Sequence, residues 1–387
     1  MKKKALIVVN LTGFLHFLWN DIATLQEIGY EVSVAMNENS AAGPNMIEIP
    51  KLEKMGIKHY QVGFDTKSPI SNKNILAYRQ LKFVLKKNKY DLIHCHTPIV
   101  GMLTRMAARK YRKAGTIVIY TTHGFTFTDR SSKKSWLVYF TAEKLMSRFC
   151  DAIITINHED YGNAKKMHCP KVYVIPSIGV DNHRFTDIKI NRDEYRASFG
   201  VKPKDHMVLS VGELSTRKNQ KIIIEALGTL DSKEQYVFVI CGTTVVNSTI
   251  EEELKQTAYE LGVRIFLAGH RLDIPEINAC VDVAVIPSIR EGFGMTGVEA
   301  LASGVPVVGA DVQGIREYVI PGKTGYLCDP YDEYQFADAI EKIISLSSAE
   351  RNKMAAACKK KAEEFDVSKS IAAMKNIYQE VLCHERK

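Results

Sequence analysis

Residues 281–317 read VDVAVIPSIREGFGMTGVEALASGVPVVGADVQGIRE. The run Val281–Pro287 is apolar and β-rich, as in a strand buried on both faces. A polar turn punctuated by glycine, Ser288–Gly294, follows it. The small residues near Gly297–Ser303 predict a short helix, stopped by Gly304 with Pro306 just beyond. Val305–Gly309 predicts a second buried strand. Together these make one strand–helix–strand unit of a parallel sheet, with a loop at the carboxyl end of its first strand. Open parallel sheets bind ligands at that edge.

The loop carries Glu291, Gly292, Phe293 and Gly294, and Met295 and Thr296 lead into the helix that holds Glu299. Glycines let a backbone approach a ligand, and amides at a helix start suit a phosphate. Two carboxylates beside an anion site call for hydroxyl partners. A nucleotide sugar offers both, a diphosphate for the amides and hydroxyls for the acids. Two plainer readings stand beside this one. Thr296-x-x-Glu299 is a capping-box pattern, and Glu291 fits a solvated loop acid.

Working outward, strand candidates recur in the first half at Ala5–Val9, Glu31–Ala35, His59–Val62, Leu92–His94, Thr116–Tyr120, Ala152–Ile156 and Val172–Ile175. Helical patterns lie between several of them, and alternation of this kind predicts a doubly wound parallel sheet. Residues 191–199 read as a linker helix, with Asn191-x-x-Glu194 at its start. Strand candidates then resume at Met207–Val211, Tyr236–Cys241 and Val263–Ala268. The alternation therefore starts twice, which predicts two similar domains facing across a cleft. At 387 residues the chain exceeds what one core usually supports. The expected division is 1–185, 200–365 and a last segment, 366–387.

Composition is that of a globular protein, 45% hydrophobic and 25% charged, with a formal charge of +8. None of the eight cysteines forms C-x-x-C, so the pattern favours free buried thiols in a reducing cytoplasm. The start, MKKKALIVVN, has an apolar core too short for a signal peptide and reads as a first strand. No window approaches the roughly 20 apolar residues that span a bilayer.

Further loops follow predicted strands. Gly13 follows the first. His94 and His96 lie two apart and share one face of an extended segment, but no carboxylate or thiolate cluster accompanies them, so they read as a strand end rather than a metal site. His123 sits just past Thr116–Tyr120, where an imidazole can bond a ligand hydroxyl or act structurally. Arg217 and Lys218 precede a helix and suit a diphosphate, or form a solvated basic turn. Gly269, His270 and Arg271 end another strand, with Arg271 either aiding a ligand or simply exposed.

The E-x7-E string from Glu291 to Glu299, with its small-residue helix and G-V-P-V-V strand, closely resembles the signature of retaining glycosyltransferases of family 4, a two-Rossmann-domain (GT-B) family. The resemblance covers nearly the whole chain and is strongest to bacterial enzymes of exopolysaccharide and capsule synthesis. It implies that the second domain holds a UDP-sugar and the first presents a lipid-linked saccharide acceptor. It implies that Glu291 holds donor-sugar hydroxyls, Glu299 the ribose and Lys218 the diphosphate. His123 would stand near the donor sugar, Gly13 near its phosphate, and the Gly269–Arg271 loop at the base. It also implies that residues 367–382 form a helix that packs back on the first domain. Where the family usually has arginine this chain has Glu213, which leaves Arg217 to supply the charge. No D-x-D occurs, so neither a metal nor a cofactor is expected at the diphosphate.

Between Tyr78 and Lys113 the basic residues are Arg79, Lys82, Lys86, Lys87, Lys89, Arg105, Arg109, Lys110, Arg112 and Lys113, with Asp91 the sole acid. Trp136, Leu137, Tyr139 and Phe140 interleave with further lysines nearby. This suits an anionic membrane surface, or a solvated helical face. Nucleic acid is the rival partner, and no nucleic-acid fold accompanies the charge. The remaining functional rivals are a nucleotide-sugar epimerase of the same fold and a non-catalytic nucleotide-binding regulator. A dehydrogenase is excluded by the lack of G-x-G-x-x-G after a strand.

Overall fold

The computed structural model describes residues 2–40, 47–66, 68–244 and 248–383. They form two compact units, Met1–Ile178 with Ser368–Lys387, and Gly179–Val367. Each is a Rossmann-like α/β unit around one parallel sheet. The first sheet holds β1 (Lys4–Leu11), β2 (Glu31–Asn37), β3 (Lys58–Gln61), β4 (Leu92–His96), β5 (Ile117–Thr121), β6 (Ala152–Thr155) and β7 (Lys171–Val174). The second holds β8 (His206–Val211), β9 (Tyr236–Cys241), β10 (Arg264–Gly269), β11 (Val283–Ile286), β12 (Val307–Ala310) and β13 (Gly325–Cys328).

The strand orders are β3-β2-β1-β4-β5-β6-β7 and β10-β9-β8-β11-β12-β13. The central strands are continuous apolar runs because helices cover both faces. Ala5 to Val9 and Val283 are fully buried. In each sheet the order reverses once, between β1 and β4 and between β8 and β11. At such a reversal the crossovers leave in opposite directions, and a crevice opens at the carboxyl ends of the strands.

Several boundaries differ from the sequence reading. β11 begins at Val283 because Asp282 is a polar anchor, accepting from the Met207 amide at 2.8 Å and from Arg196 at 3.0 Å. The sequence reading omits β13, a four-residue edge strand too short to show a period. The helix Arg192–Ala197 is capped by Asn191, whose side chain accepts from the Glu194 amide at 3.4 Å. It belongs to the second unit rather than linking two units. Buried Arg196 bonds the carbonyls of Cys280 at 2.7 Å and Asp205 at 2.6 Å.

From Ser368 on, the last helix, Val367–Cys383, is part of the first unit. It buries Met374, Ile377, Tyr378 and Val381. Ser370 donates to the Pro176 carbonyl at 3.1 Å, and Lys375 pairs with Glu27 at 2.6 Å. Residues 384–387 of the expected last segment lie outside the described residues. All eight cysteines are free thiols.

The basic stretch of the first unit is smaller than the sequence implies. Arg105 is fully buried, bonded to Glu143 at 2.7 Å and stacked 4.0 Å from the Tyr120 ring centre. It lies on the inward face of its helix and adds nothing to the surface charge. Arg112 is paired with Asp151 at 2.9 Å. Trp136 and Phe140 turn inward and stack on each other at 4.3 Å, whereas Leu137, Val138 and Tyr139 are exposed.

Candidate functional site

In the second unit the reversal between β8 and β11 brings two loops together. The first runs from Gly212 to Asn219, ahead of the helix Gln220–Gly228. The second runs from Pro287 to Gly294, ahead of the helix Met295–Ala302. Main chain ties them, with the Ile289 amide on the Arg217 carbonyl at 3.0 Å. Side chains complete the link. Lys218 Nζ stands 2.6 Å from Glu291 Oε2. Arg217 lies 3.5 Å from the same oxygen and donates to the Arg290 carbonyl at 3.3 Å. Ser288, a residue the sequence reading passed over, donates to that oxygen at 3.3 Å.

Burial works against a charge on Glu291, but the Lys218 ammonium, then Arg217 and the Ser288 hydroxyl, more than offset it. The carboxyl is held below its ordinary range. The site is therefore a charged pair with a second cation beside it.

Gly294 is the N-cap of the helix Met295–Ala302, with φ at 81°. A side chain there is strained, and a β-carbon would lie 2.8 Å from the Tyr318 hydroxyl and 3.1 Å from Glu291 Cγ. Glycine thus sets both the turn and the room for Glu291. Gly292 lies on the same loop, braced by the Gly314 amide on the Glu291 carbonyl at 3.2 Å. Met295 and Thr296 are the first two helical residues, both half-buried.

The capping-box reading of Thr296 and Glu299 fails. Thr296 is the second helical residue, so it does not occupy the N-cap, and Glu299 lies at mid-helix. Among the described residues no hydrogen bond reaches the half-buried Glu299 carboxylate. Burial pushes its carboxyl above the ordinary range, and Arg184 only partly opposes this. Phe293, on the same loop, turns its side chain into the core. Its side chain is 3% exposed and packs on Phe365 at 5.1 Å and Tyr318 at 5.7 Å. It is core, and only its backbone faces the loop.

Gly269 ends β10 with φ at 65°. Beyond it, Arg271 helps line a pocket of about 420 Å³ with Gly212, Glu213, Thr244 and His270, a size within the small-molecule range. Arg271 is not freely exposed. Its Nε donates to Asp273 at 2.8 Å, and Tyr195 bonds the same carboxylate. The Arg271 fork holds the Asp273 carboxyl below its ordinary range.

In the first unit the reversal between β1 and β4 gathers a different set. Gly13 lies in the 3-10 helix Thr12–Phe17 that follows β1. Phe14 of that turn meets the His123 ring edge-on at 4.9 Å. His123 follows β5 in a left-handed conformation, φ 54°. Its Nε2 is 3.0 Å from His96 Nδ1. His96 is the last residue of β4 and fully buried. His94 is held at both nitrogens, by the hydroxyls of Thr121 and Tyr378, each at 2.8 Å. Burial lowers all three imidazoles, His94 to about 3 and His123 to about 4, so the cluster is neutral. Asp21 stands beside it, its carboxyl pushed up to about 7 by burial. Sequence reading missed Asp21 and Tyr378, since nothing local marks either.

Two Rossmann-like parallel α/β units define the GT-B fold class. Matches to known proteins carry this further. Residues 191–365 match the model described as glycosyl transferases group 1, and residues 19–184 that of glycosyltransferase family 4. EpsD of Bacillus subtilis (strain 168), which carries the name of a glycosyltransferase, is 34% identical over 371 residues, 94% of this chain and 91% of that one. The chain belongs to the glycosyltransferases of this family. A galactosyltransferase of Escherichia coli, named for transfer from UDP-Gal to α-D-GlcNAc-diphosphoundecaprenol, is 29% identical over 326 residues, 81% of each chain. The fold matches Anabaena Alr3699/HepE, solved with UDP-glucose, with a TM-score of 0.78 at 22% identity over 97% of this chain and 99% of that one.

Proposed function

We propose that the protein moves a hexosyl or N-acetylhexosaminyl group from a UDP-sugar to a lipid-linked saccharide, with retention at the anomeric carbon, in bacterial polysaccharide assembly. The observation that carries this is the Lys218–Glu291 pair at the β8/β11 reversal, with unpartnered Glu299 on the next helix. A bound diphosphate competes with Glu291 for Lys218, which frees the carboxylate for donor-sugar hydroxyls. Arg217 then stands in for the arginine that Glu213 replaces, and the Gly292–Thr296 backbone offers amides. As the bond from the sugar to the diphosphate breaks, its electrons pass to the phosphate oxygen, where Lys218 and Arg217 offset the growing charge. Glu299 holds the ribose, and the pocket beside Gly269 and Arg271 takes the base. His123 orients the reacting sugar. On this reading the diphosphate needs no bridging metal.

The acceptor chemistry rests on the Escherichia coli relative, which acts on a diphosphoundecaprenol-linked sugar. No described helix is long and apolar enough to cross a membrane. The helix Lys133–Met146 exposes Leu137, Val138 and Tyr139 next to lysines, which suits a peripheral stay at the cytoplasmic leaflet. Transfer and hydrolysis assays across a panel of UDP-sugars, with lipid extract as acceptor, test the proposal. Sugar incorporated into the lipid fraction from one donor is expected. Failure of every UDP-sugar to bind overturns it, and conversion of donor without any acceptor favours an epimerase.

A further inference from the structure

His94 and His96, taken along β4 alone, are two ligands without a third. The fold supplies the third from the helix Trp19–Glu27. We propose that Asp21, His94 and His96 bind one divalent transition-metal ion of the zinc type within the first unit.

The geometry carries the proposal. One ligand atom from each of the three residues lies within 4.8 Å of the other two. In a filled tetrahedral zinc site, with bonds of about 2.0–2.1 Å, neighbouring ligand atoms stand roughly 3.4 Å apart. The three side chains therefore need to draw in by roughly 1 Å to reach bonding distance. Among the described residues no hydrogen bond or ion pair holds the Asp21 carboxylate, so it is free to turn. His96 Nε2 is buried without a hydrogen-bond partner. A buried polar atom of that kind is unfavourable unless something satisfies it. An ion at this point satisfies the nitrogen and the half-buried carboxylate together.

The surroundings suit the same ion. Imidazole ligands of metals are usually anchored through their second nitrogen. His96 has such an anchor in His123, 3.0 Å from Nδ1. His94 has two, the hydroxyls of Thr121 and Tyr378, so whichever nitrogen turns to the ion, the other keeps one. Two imidazoles and one carboxylate are the donor set of open zinc and mononuclear iron sites. Asp21 also borders a cavity of about 20 Å³, large enough for one water, on the side of Thr121 and His123.

The test uses the full-length protein stripped with chelator and dialysed against zinc, and separately against cobalt. One tight equivalent of zinc is expected, retained by Cys383→Ser, which removes the exposed thiol. Asp21→Asn and His96→Gln should each lose it. Circular dichroism checks that each variant folds. The cobalt form of the unaltered protein should show visible bands of nitrogen and oxygen ligation. No retained equivalent, an equivalent unaffected in folded Asp21→Asn and His96→Gln, or a thiolate charge-transfer band from cobalt would each overturn the site.

Discussion

The two units place side chains at the same topological point and fill it with opposite chemistry. At the β8/β11 reversal, Lys218, Arg217 and Glu291 are charged and mutually paired. At the β1/β4 reversal, His94, His96 and His123 are neutral and joined through single ring nitrogens and hydroxyls. One sheet order thus supports either a set of paired charges or a buried polar cluster. Which one forms depends on a few residues at the strand ends and in the loops after them. A charged pair near the surface stays charged because each partner offsets the burial of the other. Buried imidazoles with no acid bonded to them stay neutral because nothing offsets theirs.

Four measurements break or sharpen this contrast. Lys218→Ala removes the cation proposed to meet the diphosphate. It should lower transfer about 10²–10³-fold, some 3–4 kcal/mol, as removal of one preorganised donor does. Donor binding and turnover equal to the unaltered protein would abolish the proposed role. His94→Leu strands the Thr121 and Tyr378 hydroxyls in the first unit. It should cost about 2–3 kcal/mol of stability and leave UDP affinity unchanged, read by thermal unfolding with chelator present and by calorimetry. A loss of UDP affinity there would dissolve the distinction between the two sites.

Arg217→Ala should weaken UDP binding about tenfold, near 1.4 kcal/mol, because Arg217 is the second cation at the pair. Unchanged affinity would leave the Glu213 position uncompensated. The smallest effect concerns pH. Glu299 has its folded carboxyl raised above the ordinary 4.5, so its burial as a charge costs stability once the pH passes the folded value. Glu299→Gln should therefore raise the unfolding temperature at pH 7.5 and leave it nearly unchanged at pH 4. Glu291 is lowered, so the sign reverses: its pairing stabilises above pH 4.5 and is lost as the pH falls through the folded value. Glu291→Gln should destabilise at pH 7.5 and little at pH 3. Equal shifts for both variants at neutral pH would show that neither environment acts as described.

Much of the second site was legible along the chain. The alternation of apolar strands with small-residue helices gave the sheet, and the carboxyl ends of those strands gave the loops. Lys218, Glu291 and Glu299 could be named because the loops after the strands and the E-x7-E resemblance point to them, and Thr296 failed as a cap because the helix is capped two residues earlier, at Gly294. Phe293 illustrates the limit. Its neighbours Phe365 and Tyr318 are distant in sequence, so its burial had no local signature. Arg105 misled in the same way, since its partner Glu143 lies on another helix.

The sequence by itself determined the two parallel sheets, the loops that carry the charges and the family, since each rests on local period, turn chemistry or a contiguous motif. Only the tertiary structure paired Lys218 with Glu291 across 73 residues and His94 with Tyr378 across 284. It also set Asp21 beside two histidines of another element. The physical reason is common to these cases. Period and propensity act over a few residues, whereas burial and hydrogen-bond partners are assigned by which elements the sheet order makes neighbours.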